Sequence, residues 1–323
     1  MNYKKLLFIL IAVLLLSLGL WYYRSSSAQR LVSGVIKNPA ENLRSSAGRI
    51  NILLLGIGGL GHEGSNLTDS MILVSLNNST YLPTLISIPR DIWLHSLAAK
   101  INTAYYYGEE KSPGLGLDLA KASVAELTGL EIHYVVVLDF DGFVKAIDIV
   151  GGLDIVIDRT FDDYKYPIPG KENASPVSAR YEHLHFDEGP THLDGKTALK
   201  YVRSRHAQGE EGTDFARGQR QQKVLQSFRD RVFSTNTLYN IDTLSKLKEN
   251  LTTSIKTNIT EQEYGSFGKI LLKLNQNRDF PSIDLEPLFI NPSNTKPYDG
   301  QWVLVPKDNW EAVHAYVQEN LAK

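Results

Sequence analysis

Short apolar runs of strand length recur along this chain and limit its fold more than any other feature. Ile50–Ile57 reads INILLLGI, Ser70–Leu76 reads SMILVSL and Thr84–Ile88 reads TLISI. His133–Leu138 (HYVVVL) and Leu153–Ile157 (LDIVI, entered through Gly151-Gly152) are similar. Such runs are expected of buried strands. Asn77-Asn78-Ser79-Thr80 separates the second from the third and is hairpin material. Helical spacing marks Leu115–Leu127, Phe140–Val150, Asp194 to about Tyr201, Asp214–Val232, Thr243–Lys256, Glu261–Leu274 and Asn309–Leu321. Gln301–Val305 reads as a last strand, and residues 159–191 as a long loop without periodicity. Strands that alternate with helices predict an α/β fold: a single layered domain over 49–323, with a central mixed sheet flanked by helices. No boundary divides it.

The N-terminus predicts something else. Leu6–Tyr23 reads LLFILIAVLLLSLGLWYY and carries no charge. As a helix it covers ~27 Å, near the ~30 Å of a bilayer core. Lys4 and Lys5 precede it, and Trp21, Tyr22 and Tyr23 close it as interfacial aromatics do. A cleaved signal peptide is the rival, but the run is long for one and Ser26-Ser27-Ala28 is a weak cleavage site. Residues 1–24 are therefore read as a cytoplasmic stub and one transmembrane helix, and 25–48 as a linker. The basic head favours a single pass in the cell membrane, N-terminus inside and body outside. The absence of cysteine agrees with export.

The stretch Tyr201–Gln222 holds Arg203, Arg205, Arg217 and Arg220. The chain as a whole is nearly neutral, with 34 Lys+Arg against 36 Asp+Glu, so the cluster does not follow from a basic composition. That balance also gives no sign of nucleic-acid binding. Arg203 and Arg205 share a face if extended. Arg217, Arg220 and Gln221 share a face if helical, with Thr213 or Asp214 as N-cap. Guanidinium forks match phosphate oxygens. The competing reading is a solvated charged helix.

Other motifs are weaker. Gly56-Ile57-Gly58-Gly59-Leu60-Gly61 has the G-x-G-x-x-G spacing, but the dinucleotide fingerprint requires a helix to follow, and here another strand does. His62-Glu63 lacks the second histidine of a zincin, since Asn66 stands there. Asp69 opens one strand and Arg90-Asp91 follows the next. If those strands are neighbours, a carboxylate and a guanidinium meet at one edge. Lys100 and Asn102 follow, and Lys100 is assigned to the phosphate-binding set. Together these residues supply a carboxylate for a hard cation such as Mg²⁺ and several cations for a pyrophosphate.

With these blocks in place, the chain resembles the LytR-CpsA-Psr family of cell-wall glycopolymer transferases. The resemblance runs from about Asn51 to Val232, through NILLLGI, TDSMILVSL, LISIPRD, KINTAYYYG, DFDGFVKAIDIVGGLDI, HLDGKTALKYVRSR and DFARGQRQQ. It implies an anchored, extracytoplasmic, Mg²⁺-assisted phosphotransferase. Such an enzyme moves a phosphoglycan from a polyprenyl-pyrophosphate carrier to peptidoglycan. It implies that Asp69 is a metal-binding or catalytic aspartate, that Arg90 is an active-site arginine, and that Arg203, Arg205, Arg217 and Gln221 hold the pyrophosphate. Apolar residues of the domain would line a tunnel for the lipid tail. The sequence departs from the family pattern where Gly58 replaces an aspartate and Leu67 an arginine. His62 or Glu63 is the candidate replacement ligand. The rival functions are a polyprenyl-pyrophosphate hydrolase using the same site and a non-catalytic wall- or lipid-binding protein.

Overall fold

The computed structural model describes residues 39–59, 65–168, 170–171, 173–273 and 280–323. The apolar run Leu6–Tyr23 lies outside the described residues, as do His62 and Glu63. Among the described residues no helix is long and apolar enough to cross a membrane.

The helices are α1 (Pro39–Asn42), α2 (Ala104–Lys111), α3 (Leu115–Thr128), α4 (Phe140–Ile149), α5 (Gly195–Arg203), α6 (Asp214–Val232), α7 (Thr235–Leu238), α8 (Ile241–Ser254), α9 (Glu261–Lys273) and α10 (Trp310–Ala322). The strands are β1 (Arg49–Ile57), β2 (Thr68–Asn77), β3 (Pro83–Ser87), β4 (Trp93–Leu94), β5 (Ala99–Lys100), β6 (Tyr134–Asp139) and β7 (Leu153–Ile157). They continue with β8 (Phe161–Pro167), β9 (Tyr181–Phe186), β10 (Gly189–Leu193), β11 (Ile255–Thr257), β12 (Ser282–Asp284), β13 (Phe289–Ile290) and β14 (Val305–Pro306).

Six strands form the central sheet in the order β11-β6-β1-β2-β3-β12. β6 runs parallel to β1 and β12 parallel to β3, whereas β2–β3 and β6–β11 are antiparallel. The sheet is mixed and helix-flanked, as the alternating pattern predicts. Leu53 and Leu55 pair with Val135 and Val137 and share one face. That face packs with Leu73 and Ile86 against Val124 and Leu127 of α3 and Val313 and Val317 of α10. Each such side chain contributes about 1.5–3 kcal/mol by full burial. The other face is less covered: Ile52, Leu54, Val74, Val136 and Leu138 are only half-buried. The continuous apolar runs thus do not mean full burial on both faces. A second core joins Ile147 of α4, Leu153 and Ile155 of β7, Phe161, Phe186 and Tyr201.

Caps set the helix starts. Asp139, Asp194 and Thr213 accept hydrogen bonds from Gly142, Thr197 and Ala216 N–H at the N-termini of α4, α5 and α6. Each such cap is worth ~1 kcal/mol. Thr213, not Asp214, is the cap of α6.

Three sequence-based expectations change. Residues 159–191 are not one loop, because β8 and β9 pair as an antiparallel hairpin and β10 pairs with β7. A register shift between Asp163 and Tyr166 breaks the period-2 pattern in β8, which hides the strand. The helix read to Lys256 stops at Ser254, and Ile255–Thr257 become edge strand β11. The side chain of Asn258 fixes that edge, accepting from Val135 N–H and donating to the His133 carbonyl. Gln301–Val305 yields only the two-residue β14, beside an isolated bridge of Leu304 to Ile92.

The described chain groups into two compact units where the sequence showed no boundary. Of the described residues, the larger holds those within Asn51–Leu76 and Leu82–Asn258 together with 280–323; the smaller holds residues 39–50, 77–81 and 259–273. In the smaller unit Asn42 donates to Ser266 Oγ at 2.8 Å and Arg44 pairs with Glu263. Glu263 also accepts from Thr260 N–H, the back-bond of a Thr-x-x-Glu capping box. Part of the segment read as linker is therefore structured.

Candidate active site

The antiparallel register of β2 and β3 pairs Ile72 with Ser87. Continued past the strand ends, it sets Asp69 opposite Arg90. Asp69 Oδ1 accepts from Arg90 Nη1 at 2.6 Å, so the expected meeting of carboxylate and guanidinium occurs. Arg205 joins them from a distant part of the chain, with Nη2 donating to the same oxygen at 2.9 Å. Arg203 Nη2 lies 3.9 Å from Oδ2. The four side chains are 18–25% exposed, so the cluster faces solvent on one side.

Burial pushes the Asp69 carboxyl up, but the charges of Arg205, Arg90 and Arg203 and the Arg205 hydrogen bond outweigh it. Its pKa falls below the ordinary value. Asp69 therefore stays ionised at neutral pH. A carboxylate held low is a poor proton acceptor and a good counter-ion.

The arginines are placed by different means. Arg203 ends α5, with its guanidinium 4.4 Å over the Phe140 ring and Nη1 3.4 Å from the Tyr166 hydroxyl. Arg205 follows Ser204 on an irregular segment held by Asp163. That fully buried carboxylate accepts from Ser204 Oγ at 2.7 Å and from the N–H groups of Arg205 and His206 at 3.2 Å each. Burial opposes ionisation of Asp163, yet these donors and Lys165 N–H together hold its pKa low. Arg217 and Gln221 lie one turn apart on α6 and line one concavity with Asp69, Ser70 and Asp284. Gln221 donates to Ser70 Oγ at 2.8 Å.

Two cations sit elsewhere. Lys100 pairs with Asp91 at 2.7 Å, and Asp91 Oδ2 is 3.4 Å from Arg90 Nε, so Lys100 stands one carboxylate behind the cluster. Arg220 is buried and structural. It donates to the Tyr201, Ser204 and Glu211 carbonyls and pairs with the Glu211 carboxylate. Burial beside it pushes the Tyr201 hydroxyl up to about 12.

The residues that sequence reasoning missed are Asp163, Ser70, Phe140 and Tyr166. Asp163 lay in the segment read as loop. The alternation of Leu184 and Phe186 in YEHLHF is the signal that could have exposed the hairpin.

The arrangement is a carboxylate ringed by guanidinium groups at the end of a mixed sheet. The model of the LytR_cpsA_psr family matches residues 21–308. The chain belongs to the LytR_cpsA_psr family. Among relatives in this family, the polyisoprenyl-teichoic acid–peptidoglycan teichoic acid transferase TagU of Bacillus cereus is 28% identical, over 93% of this chain and 91% of its own. TagV of Bacillus subtilis is also 28% identical, over 98% of this chain and 78% of its own. The crystal structure of B. subtilis TagV superposes with a TM-score of 0.59 at 26% identity, covering 86% of this chain and 99% of that one. TagT bound to LI-WTA shares the fold, with a TM-score of 0.57 at 22% identity over 86% and 92% of the two chains.

Within this family framework, Gly58 and Leu67 mark the departure noted in the sequence, and Gly59 directly follows the first of them. Gly59 has φ +78°, and a Cβ there would lie 3.0 Å from the Asp139 Cβ. Its N–H donates to the Ser65 carbonyl at 2.9 Å. A side chain at 59 would be strained and crowded.

Proposed function

We propose that this protein transfers a phosphate-linked glycan from a polyprenyl-pyrophosphate carrier to peptidoglycan, at the outer face of a membrane to which Leu6–Tyr23 anchors it. One observation carries the reading: Arg90, Arg203 and Arg205 converge on Asp69, with Arg217 and Gln221 on the adjoining wall. One carboxylate offsets only part of the charge of three guanidinium groups, so it holds them together while leaving excess positive charge for a dianionic ligand. Each guanidinium–phosphate contact is worth ~4 kcal/mol of raw Coulomb energy near a surface, before desolvation. The names of the TagU and TagV relatives describe this reaction class.

In the reaction an acceptor hydroxyl attacks the glycan-side phosphorus. The new P–O bond forms as the bond to the bridging oxygen breaks, and polyprenyl phosphate leaves. The hydroxyl proton passes to solvent or to a leaving-group oxygen, because Asp69 is held ionised by its guanidinium partners. Arg203 and Arg205 neutralise charge that develops on the leaving phosphate, and Arg217 and Gln221 orient the group. The half-buried apolar face formed by Ile52, Leu54, Val74 and Val136 is of a chemistry that suits the polyprenyl tail.

Mg²⁺ would be held by Asp69 together with phosphate oxygens and water, since Mg²⁺ commonly takes one or two carboxylates and substrate phosphates. The residues fit it on that condition. With Oδ1 already accepting from two guanidiniums, a lone cation would meet repulsion that a pyrophosphate offsets. When bound, the ion would supply further charge neutralisation.

The test supplies purified full-length protein with a polyprenyl-pyrophosphate glycan, with and without peptidoglycan. Glycan covalently attached to the wall, with release of polyprenyl phosphate that depends on the acceptor, supports transfer. Release independent of acceptor and without attachment would replace it with hydrolysis. Gly58, where the family commonly carries an aspartate, favours a second reading as a non-catalytic lipid or wall binder. Binding of the carrier without any release would establish that one.

A further inference from the structure

The outer face of the β8–β9 hairpin carries a cluster that glycan transfer does not use. Asp162 on β8 stands directly opposite His185 on β9, and His183 precedes His185 by two residues. With a side-chain period of 2, His183 and His185 project from one face beside Asp162. Asp162 Oδ1 lies 2.6 Å from His183 Nε2 and 2.8 Å from His185 Nδ1. One donor atom from each of the three lies within 4.8 Å of the others.

Two further contacts distinguish the cluster from a solvated surface pair. His185 Nε2 is 3.1 Å from Asp187 Oδ1, so a second carboxylate holds the ring nitrogen that faces away. That arrangement fixes the ring of a metal-bound histidine and raises the basicity of its other nitrogen. The Tyr164 ring stacks on His183 at 4.2 Å with the planes 3° apart, which fixes the second imidazole. Ordering five side chains costs entropy that exposed ion pairs seldom offset.

We propose that Asp162, His183 and His185 bind a divalent transition-metal ion of the zinc class, with water completing the coordination. The two imidazole donors select such ions over Mg²⁺, and a carboxylate is compatible with a zinc set. Tetrahedral bonds of about 2.0–2.1 Å set donors roughly 3.3 Å apart. Asp162 therefore withdraws by about 0.7 Å from the His183 ring and about 0.5 Å from the His185 ring, and its partly exposed side chain is free to do so. The site also has a structural position. Asp163, the next residue, holds the Arg205 segment from the opposite face of the hairpin, and the Asp162 carbonyl accepts from Gln208 N–H at 3.0 Å. A bound ion pins the strand pair that seats Arg205.

The experiment titrates untagged, full-length, metal-free protein with Zn²⁺ by calorimetry and with Co²⁺ by its visible absorption, both in excess Mg²⁺. One Zn²⁺ per chain is expected, with a Co²⁺ spectrum of low coordination number and a raised Tm. The His183→Ala/His185→Ala double variant loses binding. Asp187→Asn weakens it by ~10–100-fold, as loss of an outer partner does. Asp69→Asn leaves it intact. Absence of Zn²⁺ and Co²⁺ binding overturns the proposal, as does unchanged binding in the double variant or loss of binding in Asp69→Asn. Circular dichroism checks the fold, and should the double variant not fold, unchanged affinity in Asp187→Asn and in Asp162→Asn overturns the proposal instead.

Discussion

Nη2 of Arg205 lies 2.9 Å from Oδ1 of Asp69, joining residues 136 positions apart. The contact ties the start of β2 to the segment after α5. It makes the candidate site a product of the tertiary fold, held together by charge.

Replacing Arg205 by Ala is expected to lower kcat for glycan transfer by ~10²–10³, the usual loss when one donor to a developing oxyanion is removed. Arg205→Lys is expected to recover only part of the rate, because a point charge does not reproduce the planar fork that a guanidinium offers to phosphate oxygens. Steady-state kinetics on the lipid-linked glycan provide the check. A variant as fast as the wild type would remove Arg205 from the mechanism.

Asp69→Asn leaves three guanidinium groups facing one another. A stability loss of about 1–3 kcal/mol is expected at neutral pH. This is less than the ~3–5 kcal/mol for breaking a fully buried pair, because the Asp69 side chain is 21% exposed. The pH dependence follows from the lowered pKa. The stabilisation is fully present above the unfolded value of ~3.9 and is lost as pH falls through the lower folded value. Urea unfolding between neutral pH and about pH 3 should show a steeper acid decline for the wild type than for Asp69→Asn, to the extent that Asp69 contributes. Parallel curves would deny it that role.

Asp163→Ala removes the acceptor for one hydroxyl and two backbone N–H groups around Arg205. The cost is expected to be about 2–4 kcal/mol, in line with leaving buried donors unsatisfied. Both kcat and KM should worsen, since the segment that aims Arg205 loses its anchor. Denaturation midpoints and kinetics measured on one preparation separate this from a purely global effect. A variant with normal stability and normal KM would show that Asp163 does not position the site.

Gly195 opens α5, and a Cβ there would lie 2.2 Å from the Val144 carbonyl oxygen of α4. Backbone cannot swing aside as a side chain can, so Gly195→Ala must push the two helices apart. A loss of ~1–3 kcal/mol or more is expected from such overpacking, with a Tm lower by several degrees. Because α5 ends at Arg203, transfer should weaken as well. Calorimetry on the purified variant tests this, and an unchanged Tm would mean that the helices separate freely.

Particular residues show how far the sequence reached. Strands β1, β2, β3 and β6 were legible because LLL and VVV runs leave few alternatives, and the short Asn77–Thr80 turn implied the meeting of Asp69 and Arg90. The hairpin of β8 and β9 was not legible, since the register shift after Asp163 breaks the alternation on which strand reading depends. With it went the anchor of Arg205 and the exposed Asp162–His183–His185 cluster. Arg217 and Arg220 share a helix face by spacing and were separated only by the family resemblance; the fold supplies the physical reason, since Arg217 lines the concavity with Asp69, whereas Arg220 is held by carbonyls and Glu211.

By itself the sequence determined the α/β class, the strand pairing around the β2–β3 turn and the residue types from which an anion site can be built. Those depend on local periodicity and short spacings. The tertiary structure alone decided which arginines converge on Asp69, which one carbonyls and Glu211 immobilise, and that a buried Asp163 fixes the Arg205 backbone. Charge–charge contacts act over a few ångströms of space, and only the folded chain sets residues 69, 90, 203 and 205 within that reach.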